Sequence, residues 1–512
     1  MEQIEQLKSN SWVTDFKLFA GTTTAHGVNQ IFEGRNKFVR LLFLLAWAAC
    51  VIYSTYIITS SVIIFFDKPT GTKYEVVLNE GDNGTKPQSI KFPTISICSH
   101  NKVKKSFLHQ EGNEPLHDYW ETVDQYDVEK AANINWTDPN MVKIQDMTYQ
   151  DLIAAGGPDD NRFLMCQQRA ALCQKWVHYV QEDYFTRDVT STGKCWRINP
   201  AGLIKGKGGD YGKMTIMMFA DTKDYSLRAT DQAQHGFIVS FHDNTTYGVT
   251  KSSGYYMSPG SIYKVDLRLK KEMREPPPGG KCNASLVNTT YGAYDEGSCV
   301  LECKDRFVND TCGCVNIEPP LNNLGYQSCT LKQWAQCGLE AYLNFNTAYM
   351  NPDLEEELCT CQSACLETHY EAQMSSSSVS KGYTKSLHKS PDIKGMLAAF
   401  SHPELNFTYK SEEDIRDNMV IIEVLFTSMS TSEIREVVTY TSANLLGDIG
   451  GVLGLFMGAS VFTLIEFVQL LFFAIQKNCI SKWCGSGKDE KEKDRNENTP
   501  TFKVEGGNGI GI

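Results

Sequence analysis

Two long apolar runs constrain what this chain can fold into more than any other feature of its sequence. Residues 41–66 carry no charged side chain, and residues 449–476 carry only Glu466. At a rise of about 1.5 Å per residue, a helix of either length extends about 40 Å and can cross a hydrocarbon layer about 30 Å thick. The sequence therefore predicts two membrane-spanning helices, one over residues 41–66 and a second, pore-forming one over residues 438–476.

The charges beside the two runs predict which side of the membrane each end occupies. Basic residues precede the first run and follow the second: Arg35, Lys37, Arg40, Lys477 and Lys482. Because basic residues concentrate on the cytoplasmic side, both termini are expected in the cytoplasm. Residues 1–40 and 477–512 are then cytoplasmic tails, the second of them disordered, and residues 67–437 are extracellular.

Cysteines and glycosylation sequons support this topology independently. Of the 17 cysteines, 14 lie between the runs, and ten of these fall within residues 282–365. A zinc site would need a closed tetrahedral set of Cys or His, so an even number of cysteines outside the cell favours disulfides over metal. All seven N-x-Ser/Thr sequons lie in the same region and predict a glycoprotein: Asn83, Asn135, Asn244, Asn283, Asn288, Asn309 and Asn406.

The pattern between the runs predicts an α+β fold. Residues 91–98, 236–243 and 261–269 alternate apolar and polar side chains, which is typical of half-buried strands, and residues 214–221 are a further candidate strand. Residues 118–184 are rich in charged and aromatic side chains, and we expect them to be helical. The result is a β-sheet core with helical outgrowths.

Composition and motifs exclude several functions. A net charge of -12 argues against nucleic acid, which binds to basic surfaces. The sequence contains no Walker loop, no GxSxG motif and no HExxH motif, and its ten histidines are scattered. We therefore expect neither an enzyme nor a bound cofactor or metal ion.

The second run carries residues that a simple membrane anchor does not need. Asp448 lies at its head and Glu466 within it, and glycines recur at four-residue intervals: Gly447, Gly450, Gly451, Gly454 and Gly458. One interpretation is close helix packing of the GxxxG kind. The other is the wall of a cation pathway, because a charge within a membrane helix normally faces water or a bundle interior. A pathway would require several subunits, with residues 458–460 unwinding to present main-chain carbonyls.

These features together resemble the degenerin/epithelial sodium channel superfamily, and within it the acid-sensing and neuropeptide (FMRFamide/RFamide)-gated sodium channels. The resemblance covers nearly the whole chain. It is carried by His26–Gly27 in LFAGTTTAHGVNQIF, by FPTISIC, GKCW and the SPG turn, by the cysteine-rich stretch, and by GDIGG followed by GAS. It implies an amiloride-sensitive, sodium-selective channel in the plasma membrane, built as a homo- or heterotrimer with palm, finger and thumb regions and surrounded by membrane lipid.

The resemblance also implies roles for individual residues. The matched positions are Gly458, Ala459 and Ser460 for the selectivity filter, Asp448 and Gly451 for the outer pore and its opening, Glu466 for the lower pore, and His26 and Gly27 for a re-entrant motif that supports it. The implied disulfides use all 14 cysteines: Cys98–Cys195, Cys166–Cys173, Cys282–Cys365, Cys299–Cys361, Cys303–Cys359, Cys312–Cys337 and Cys314–Cys329.

The gating stimulus is predicted from where the chain departs from acid-sensing channels. These carry a histidine pair just outside the first span, whereas this chain has FFDKPTGTKYE, without histidine. Acid-sensing channels also hold pairs of carboxylates. At the matching positions this chain has DTKDYS, with Lys223 beside Asp224, and CGLEAYLNF, which keeps Glu340 but has Asn344. We therefore favour an extracellular, RFamide-type peptide agonist, with proton gating and a constitutive sodium leak as alternatives. Finger aromatics are expected to pack in a core: Tyr119, Trp120, Tyr126, Trp136 and Tyr149.

Two other classes share parts of this pattern. An ATP-gated purinergic receptor has the same two-span, cysteine-rich, trimeric plan, but it needs lysines clustered around the phosphates, and none are clustered here. An adhesion receptor explains the extracellular region but neither Glu466 nor the recurring glycines. Block by amiloride and a sodium current after a bulky substitution at Gly451 are the observations that separate them from a sodium channel.

Overall fold

The structure is a computed structural model that describes residues 19–33, 36–78, 90–123, 126–168, 171–175, 179–180, 185–199, 209–226, 235–248, 254–351 and 358–484. The chain folds as two units. One comprises Met1–Lys68 with Tyr440–Ile512, and the other is Pro69–Thr439.

The helices of the described residues are α1 Val28–Glu33, α2 Lys37–Asp67, α3 Lys105–Leu108, α4 Glu114–Val123, α5 Val128–Ala132, α6 Pro139–Ile144, α7 Tyr149–Gly156, α8 Glu296–Cys312, α9 Leu331–Gln333, α10 Leu339–Tyr349, α11 Lys381–His388, α12 Pro391–Ala399, α13 Glu412–Asn418, α14 Ser442–Met457 and α15 Val461–Cys484. A π-helical turn, Trp334–Gly338, joins α9 to α10.

The strands are β1 Thr70–Leu78, β2 Thr94–Ser99, β3 Phe163–Gln168, β4 Ala171–Lys175, β5 Tyr179–Val180, β6 Phe185–Thr190, β7 Gly193–Ile198, β8 Met214–Phe219, β9 Phe237–His242, β10 Tyr255–Met257, β11 Ser261–Met273, β12 Asn288–Thr289, β13 Gly292–Ala293, β14 Leu366–Ser378, β15 Met419–Leu425 and β16 Ser430–Val438. Each of the four candidate strands is present. Strands together with the helices confirm the α+β class.

Two sheets form the centre of the Pro69–Thr439 unit. The larger runs in the order β1-β16-β11-β15-β8-β3-β4-β5, with β14 also paired to β11, and the smaller runs β10-β9-β2-β7-β6. β11 is parallel to β15 and β16 but antiparallel to β14. Apolar side chains from both sheets share one core, including Ile97, Trp196 and Val239 of the smaller sheet and Val265 and Ile422 of the larger. Each sheet therefore buries one face against the other.

The prediction of half-buried strands holds for β11 and is wrong for β2 and β9. The side chains of β11 alternate between buried and more exposed, whereas every residue of β2 and β9 is buried. On the face of β2 away from the shared core, Ser96 Oγ lies 2.8 Å from His242 Nε2, and the Cys98–Cys195 disulfide packs against Tyr291. A second layer covers this face, where Ser96 has a hydrogen-bond partner but the Thr94 hydroxyl group is buried without one among the described residues.

The prediction of a helical region over residues 118–184 is right only in its first half. Helix α7 ends at Gly156, and from Phe163 the chain forms β3, β4 and β5. The β3 sequence FLMCQQ contains good helix formers, which makes it look helical locally. It nevertheless pairs antiparallel with β8, with Cys166 opposite Ile216. Pairing with a strand that is distant in sequence outweighs local propensity here.

The cysteine-rich stretch, residues 282–365, is cross-linked by five disulfides. Cys299 and Cys303 lie one turn apart on α8, so both side chains face the same segment. There they form disulfides with Cys361 and Cys359. All six described disulfides are pairs that the resemblance implies: Cys98–Cys195, Cys282–Cys365, Cys299–Cys361, Cys303–Cys359, Cys312–Cys337 and Cys314–Cys329. For the seventh pair, Cys166–Cys173, the side chain of Cys173 lies outside the described residues.

Asp305 on α8 is a buried carboxyl whose charge state depends on folding. It is 8% exposed and hydrogen-bonds the hydroxyl group of Tyr291. Burial raises the pKa of Asp305 to about 7, and the Tyr291 hydrogen bond opposes this rise only in part. Between about pH 4 and pH 7 the folded chain therefore holds a proton on Asp305 that the unfolded chain has lost.

This difference predicts that Asp305 makes the chain less stable as pH rises from about 4 to about 7. Replacing Asp305 by Asn should remove that part of the pH dependence and raise the melting temperature relative to wild type at about pH 8. Thermal melting of the purified chain from about pH 4 to about pH 8 measures the effect. Glu340→Gln, which changes an exposed carboxyl on α10, is the control. Identical pH profiles for wild type and Asp305→Asn would contradict the prediction.

The unit that contains Tyr440–Ile512 is built on α2, α14 and α15. α2 is long and apolar enough to cross a membrane, whereas α14 and Val461–Phe472 of α15 meet that criterion only together and are bent by 80° at the break between them. α2 packs against α14, burying Ser54 and Ser61, and the rings of Tyr53 and Phe456 meet edge-on with centroids 5.2 Å apart. Small side chains let two membrane helices approach closely.

Candidate ion pathway

The second apolar run is interrupted at residues 458–460. Gly458 has a left-handed backbone with φ of 62°, and its N–H donates to the Gly454 carbonyl at 3.1 Å. The Ala459 N–H donates to the Leu453 carbonyl at 3.1 Å. A glycine in this conformation after the last helical residue is a common way to end a helix. The predicted unwinding of the Gly-Ala-Ser stretch is present, and it separates α14 from α15.

The break leaves main-chain oxygens that no helix uses. Within the part of the chain that the structure describes, the carbonyl oxygens of Gly458 and Ala459 accept no hydrogen bond. Ser460 then starts the next helix. Its N–H donates to Thr463 Oγ1 at 3.0 Å, and the Thr463 N–H donates back to Ser460 Oγ at 3.4 Å. This reciprocal cap fixes where α15 begins, so the unpaired carbonyls lie in a short, defined segment.

The His26–Gly27 motif lies directly against this break. The His26 N–H donates to the carbonyl of Met457, the last residue of α14, at 2.9 Å. A Cβ atom added to Gly458 would lie 2.3 Å from the His26 ring. Gly27 has φ of 81°, which lets the chain turn away after His26 and enter α1. The structure thus brings the N-terminal motif and the Gly-Ala-Ser stretch together.

Glu466 on α15 is engaged by the residues just before His26. Its Oε2 accepts hydrogen bonds from Thr23 Oγ1 and from the Thr24 N–H, both at 3.1 Å. Thr24 Oγ1 also hydrogen-bonds Thr463 Oγ1 at 2.5 Å, and Thr463 is 1% exposed. The hydrogen bonds lower the cost of a carboxylate in an apolar helix. Sequence reasoning missed these threonines, although the run TTT before His26 was a visible signal.

Asp448, at the outer end of α14, is also engaged within the chain. Its Oδ2 accepts hydrogen bonds from the Tyr440 hydroxyl and, at 3.4 Å, from Ser61 Oγ on α2. Neither Tyr440 nor Ser61 was singled out from the sequence. Asp448 itself remains exposed.

The recurring glycines of α14 leave open space rather than close contacts. A Cβ atom added to Gly447, Gly450 or Gly451 would meet no atom of the described residues within 4 Å. Packing against another helix in the described part of the chain therefore does not explain these three glycines. Their faces remain free for a second subunit or for a water-filled path.

The chain matches the family described as amiloride-sensitive sodium channel over residues 19–470. The chain belongs to the amiloride-sensitive sodium channel family. It is similar to acid-sensing ion channel 1C of Danio rerio, with 25% identity over 492 residues, 90% of this chain and 83% of the relative. For acid-sensing ion channel 1 of Gallus gallus the identity is 26% over 511 residues, which cover 93% of this chain and 86% of the relative. For the bile acid-sensitive ion channel of Homo sapiens the identity is 24% over 476 residues, which cover 90% of this chain and 86% of the relative.

A solved structure of a proton-activated chloride channel aligns over 85% of this chain and 96% of that chain, with 7% identity and a TM-score of 0.30.

Members of the amiloride-sensitive sodium channel family are ion channels of the plasma membrane and not enzymes. The relevant chemistry is therefore ion coordination and gating.

The positions compared with acid-sensing family members have other partners here. Asp224 is buried, and its carboxylate accepts hydrogen bonds from the N–H and the hydroxyl of Ser106 at 2.6 and 2.8 Å. Lys223 forms an ion pair with Asp414 at 2.7 Å. Glu340 is exposed on α10. All three charged residues of DTKDYS have partners that lie outside α10: Asp221 pairs with Arg162, Lys223 with Asp414, and Asp224 with Ser106.

Within the described residues, two clusters of side chains are of types that bind metal ions, but the side chains of both already form other bonds. The four cysteines 299, 303, 359 and 361 are joined in two disulfides. Glu272, Glu367 and His369 converge on β11 and β14, but Arg274 forms ion pairs with both glutamates. Burial opposes ionisation of Glu367, yet hydrogen bonds from His369 and Arg274 outweigh it and hold its pKa at about 2. The hydrogen bond to Glu367 in turn raises the pKa of His369.

The finger aromatics lie mainly in a core, as predicted. They pack with the π-helical turn and α10, where Tyr149 and Trp334 have ring centroids 5.2 Å apart. Tyr126 is half-buried and has φ of 55°. The buried members are Tyr119, Trp120, Trp136 and Tyr149.

The sequons differ in how far their asparagines are accessible. Asn83 lies outside the described residues. Asn283 and Asn309 are half-buried, the latter on α8. The exposed asparagines are Asn135, Asn244, Asn288 and Asn406. Glycosylation at these sites stays a prediction.

Proposed function

We propose that the chain is one subunit of a trimeric, sodium-selective cation channel that spans the plasma membrane twice, with both termini in the cytoplasm, and is opened by an extracellular peptide. In this proposal α14 and α15 are one broken span. Three copies surround the pore, with the Gly458–Ala459–Ser460 stretch as the selectivity filter, and Asp448, Gly451 and Glu466 along the pathway. Trimeric assembly and the role of each residue are proposals.

The observation that carries the proposal is the break between α14 and α15 at residues 458–460, together with the hydrogen bonds at its two ends. A segment with unpaired carbonyls can replace part of the hydration shell of a cation. Unpaired carbonyls are tolerated at membrane depth only where they line a cavity or are buried in protein. Hydrogen bonds from His26 to Met457 and from Ser460 to Thr463 anchor the two ends of this segment.

An extracellular peptide is the proposed agonist because the acid-sensing machinery of the relatives is altered here. The stretch after α2 has no histidine, and Asp224 and Lys223 are engaged by Ser106 and Asp414. The negative charge of the chain suits a cationic peptide of the RFamide type.

Expression in oocytes tests the proposal directly. We expect a sodium current that amiloride blocks and that RFamide-type peptides evoke at constant neutral pH, with no response to ATP. Ion substitution measures the selectivity. If the chain reaches the surface but neither peptide, acid nor a bulky residue at Gly451 produces a sodium current, the channel assignment is wrong.

Proton gating is the second candidate, favoured by two groups that sequence reasoning missed. The pKa of Asp305 lies at about 7, and that of His369 is raised by Glu367. Both lie in the Pro69–Thr439 unit, and acid-sensing channels are among the relatives. A current at about pH 5 without peptide, with a half-maximal pH shifted by Asp305→Asn or His369→Ala, would favour protons. Current in the absence of either stimulus would favour a leak channel.

A further inference from the structure

The carboxylate of Asp448 is held by two hydroxyl groups, and we call Tyr440, Ser61 and Asp448 the outer clasp. Tyr440 lies just before α14 begins, and its hydroxyl donates to Asp448 Oδ2. Ser61 Oγ on α2 donates to the same oxygen at 3.4 Å. Ser61 is 7% exposed whereas Asp448 is exposed, so the clasp turns an accessible carboxylate toward the packed helix pair.

Hydrogen bonds of this kind change what a carboxylate offers to a cation. Bonds from a hydroxyl to an ionised carboxylate are roughly twice as strong as neutral ones. An oxygen that already accepts two hydroxyl groups is a weaker cation ligand. Both hydrogen bonds end on Oδ2, so among the described residues Oδ1 is the Asp448 oxygen left free for a cation. Calcium ions bind carboxylates through one or both oxygens and bind more tightly as the number of charged ligands rises.

We propose that Tyr440 and Ser61 are positioning residues that set how tightly the outer mouth of the pore binds divalent cations. The inference rests on the proposed function, because that function gathers several copies of Asp448 around one axis. With the clasp closed, each carboxylate faces α2 and offers the axis one oxygen. With the clasp open, each carboxylate turns freely and offers both oxygens, so calcium binds more tightly and blocks the sodium current.

The test is the calcium concentration that half-blocks the sodium current. Tyr440→Phe removes one hydroxyl and keeps the ring, and we expect it to lower this concentration about tenfold, the smaller end of the effect of one hydrogen bond to a charged group. Ser61→Ala should act in the same direction but less, because its bond is longer. Currents are evoked by the stimulus that opens the wild-type channel, or recorded in a Gly451→Phe background for every variant.

Two comparisons separate positioning from general damage. Tyr53→Phe removes a hydroxyl from α2 at a ring that packs on Phe456, and it should leave calcium block unchanged. In an Asp448→Asn background, Tyr440→Phe should cause no further shift, because the clasp acts only through the carboxylate.

The outcomes bear on different claims. Unchanged calcium block in Tyr440→Phe, or the same shift in the Asp448→Asn background, would overturn the inference and leave the proposed function standing. A chain that reaches the surface and carries no current in wild type or with Gly451→Phe would overturn the proposed function, and the inference with it.

Discussion

Replacing Arg162 by Met is expected to destabilise the Pro69–Thr439 unit by about 3–5 kcal/mol, because it breaks a buried ion pair from one side. Arg162 is 1% exposed, and its Nη2 donates to Asp221 Oδ2 at 2.9 Å. Its Nη1 donates to the Ala220 carbonyl at 3.0 Å, and Asp221 Oδ1 accepts the Tyr409 hydroxyl at 2.8 Å. Without the guanidinium, a buried carboxylate keeps one hydrogen bond and loses its cation.

The loss should depend on pH. Burial raises the pKa of Asp224, the neighbouring Asp221 raises it further, and Arg162 opposes the rise. Removing Arg162 leaves two buried carboxyl groups that repel each other, so the folded variant gains by taking up a proton. We therefore expect the difference in stability from wild type to be largest at neutral pH and smaller at about pH 5.

The measurement is the melting temperature of the purified chain in detergent. An unfolding entropy of about 2 cal/mol/K per residue turns 3–5 kcal/mol into a fall of about 4–7 °C if the unit melts cooperatively. Arg162→Met with Asp221→Asn should recover part of the loss, since neither partner is then charged. Lys223→Met, which breaks a more exposed ion pair with Asp414, is the control and should cost about 1 kcal/mol at most. Equal losses for Arg162→Met and Lys223→Met would contradict this account.

Local pattern was enough to predict four of the strands (β2, β8, β9 and β11) and the break in the second apolar run. The alternation in residues 261–269 marks β11 because a strand places successive side chains on opposite faces. Gly458 marks the break because the residue after a helix is often left-handed, a conformation that glycine adopts without strain. Both signals are confined to a few neighbouring residues, so no knowledge of the partner in space was needed.

The missed features depend on partners that are distant in sequence. Arg162 and Asp221 are 59 positions apart, and Thr24 and Glu466 are 442 apart. Nothing in the local sequence of either residue specifies the other. The same reason explains the failed helix prediction at β3, where the partner strand β8 decides the conformation. Burial of both faces of β2 likewise depends on a second layer contributed by distant segments.

The two carboxylates of the pore-forming run show how this limit affects function. Asp448 and Glu466 were predicted to face a cation pathway because apolar surroundings do not tolerate bare charge. The structure supplies each with hydroxyl or N–H donors from the same chain: Tyr440 and Ser61 for Asp448, and Thr23 and Thr24 for Glu466. Donors of this kind orient a carboxylate without cancelling its charge. Substituting the donors can therefore change the orientation of each carboxylate while the carboxylate itself is kept.

Replacing Gly458 by Ala is expected to reduce the sodium current at least about tenfold at equal surface expression. A left-handed backbone costs a residue with a side chain about 1–2 kcal/mol. The added Cβ would also lie 2.3 Å from the His26 ring, so the ring must move. Moving His26 disturbs the hydrogen bond from its N–H to the Met457 carbonyl and, two residues earlier, the bond from Thr24 to Glu466. One methyl group therefore loosens both the proposed filter and the donors of Glu466.

Three recordings distinguish the steric effect from the backbone effect of this change. His26→Ala in the Gly458→Ala chain removes the ring that the methyl group meets, so part of the current should return if the clash dominates. It should not return if the left-handed backbone dominates, because that strain is unaffected by residue 26. Gly395→Ala on α12, where an added Cβ meets nothing within 4 Å, should leave the current unchanged. Wild-type current and ion selectivity in Gly458→Ala would mean that the break at residues 458–460 does not control permeation.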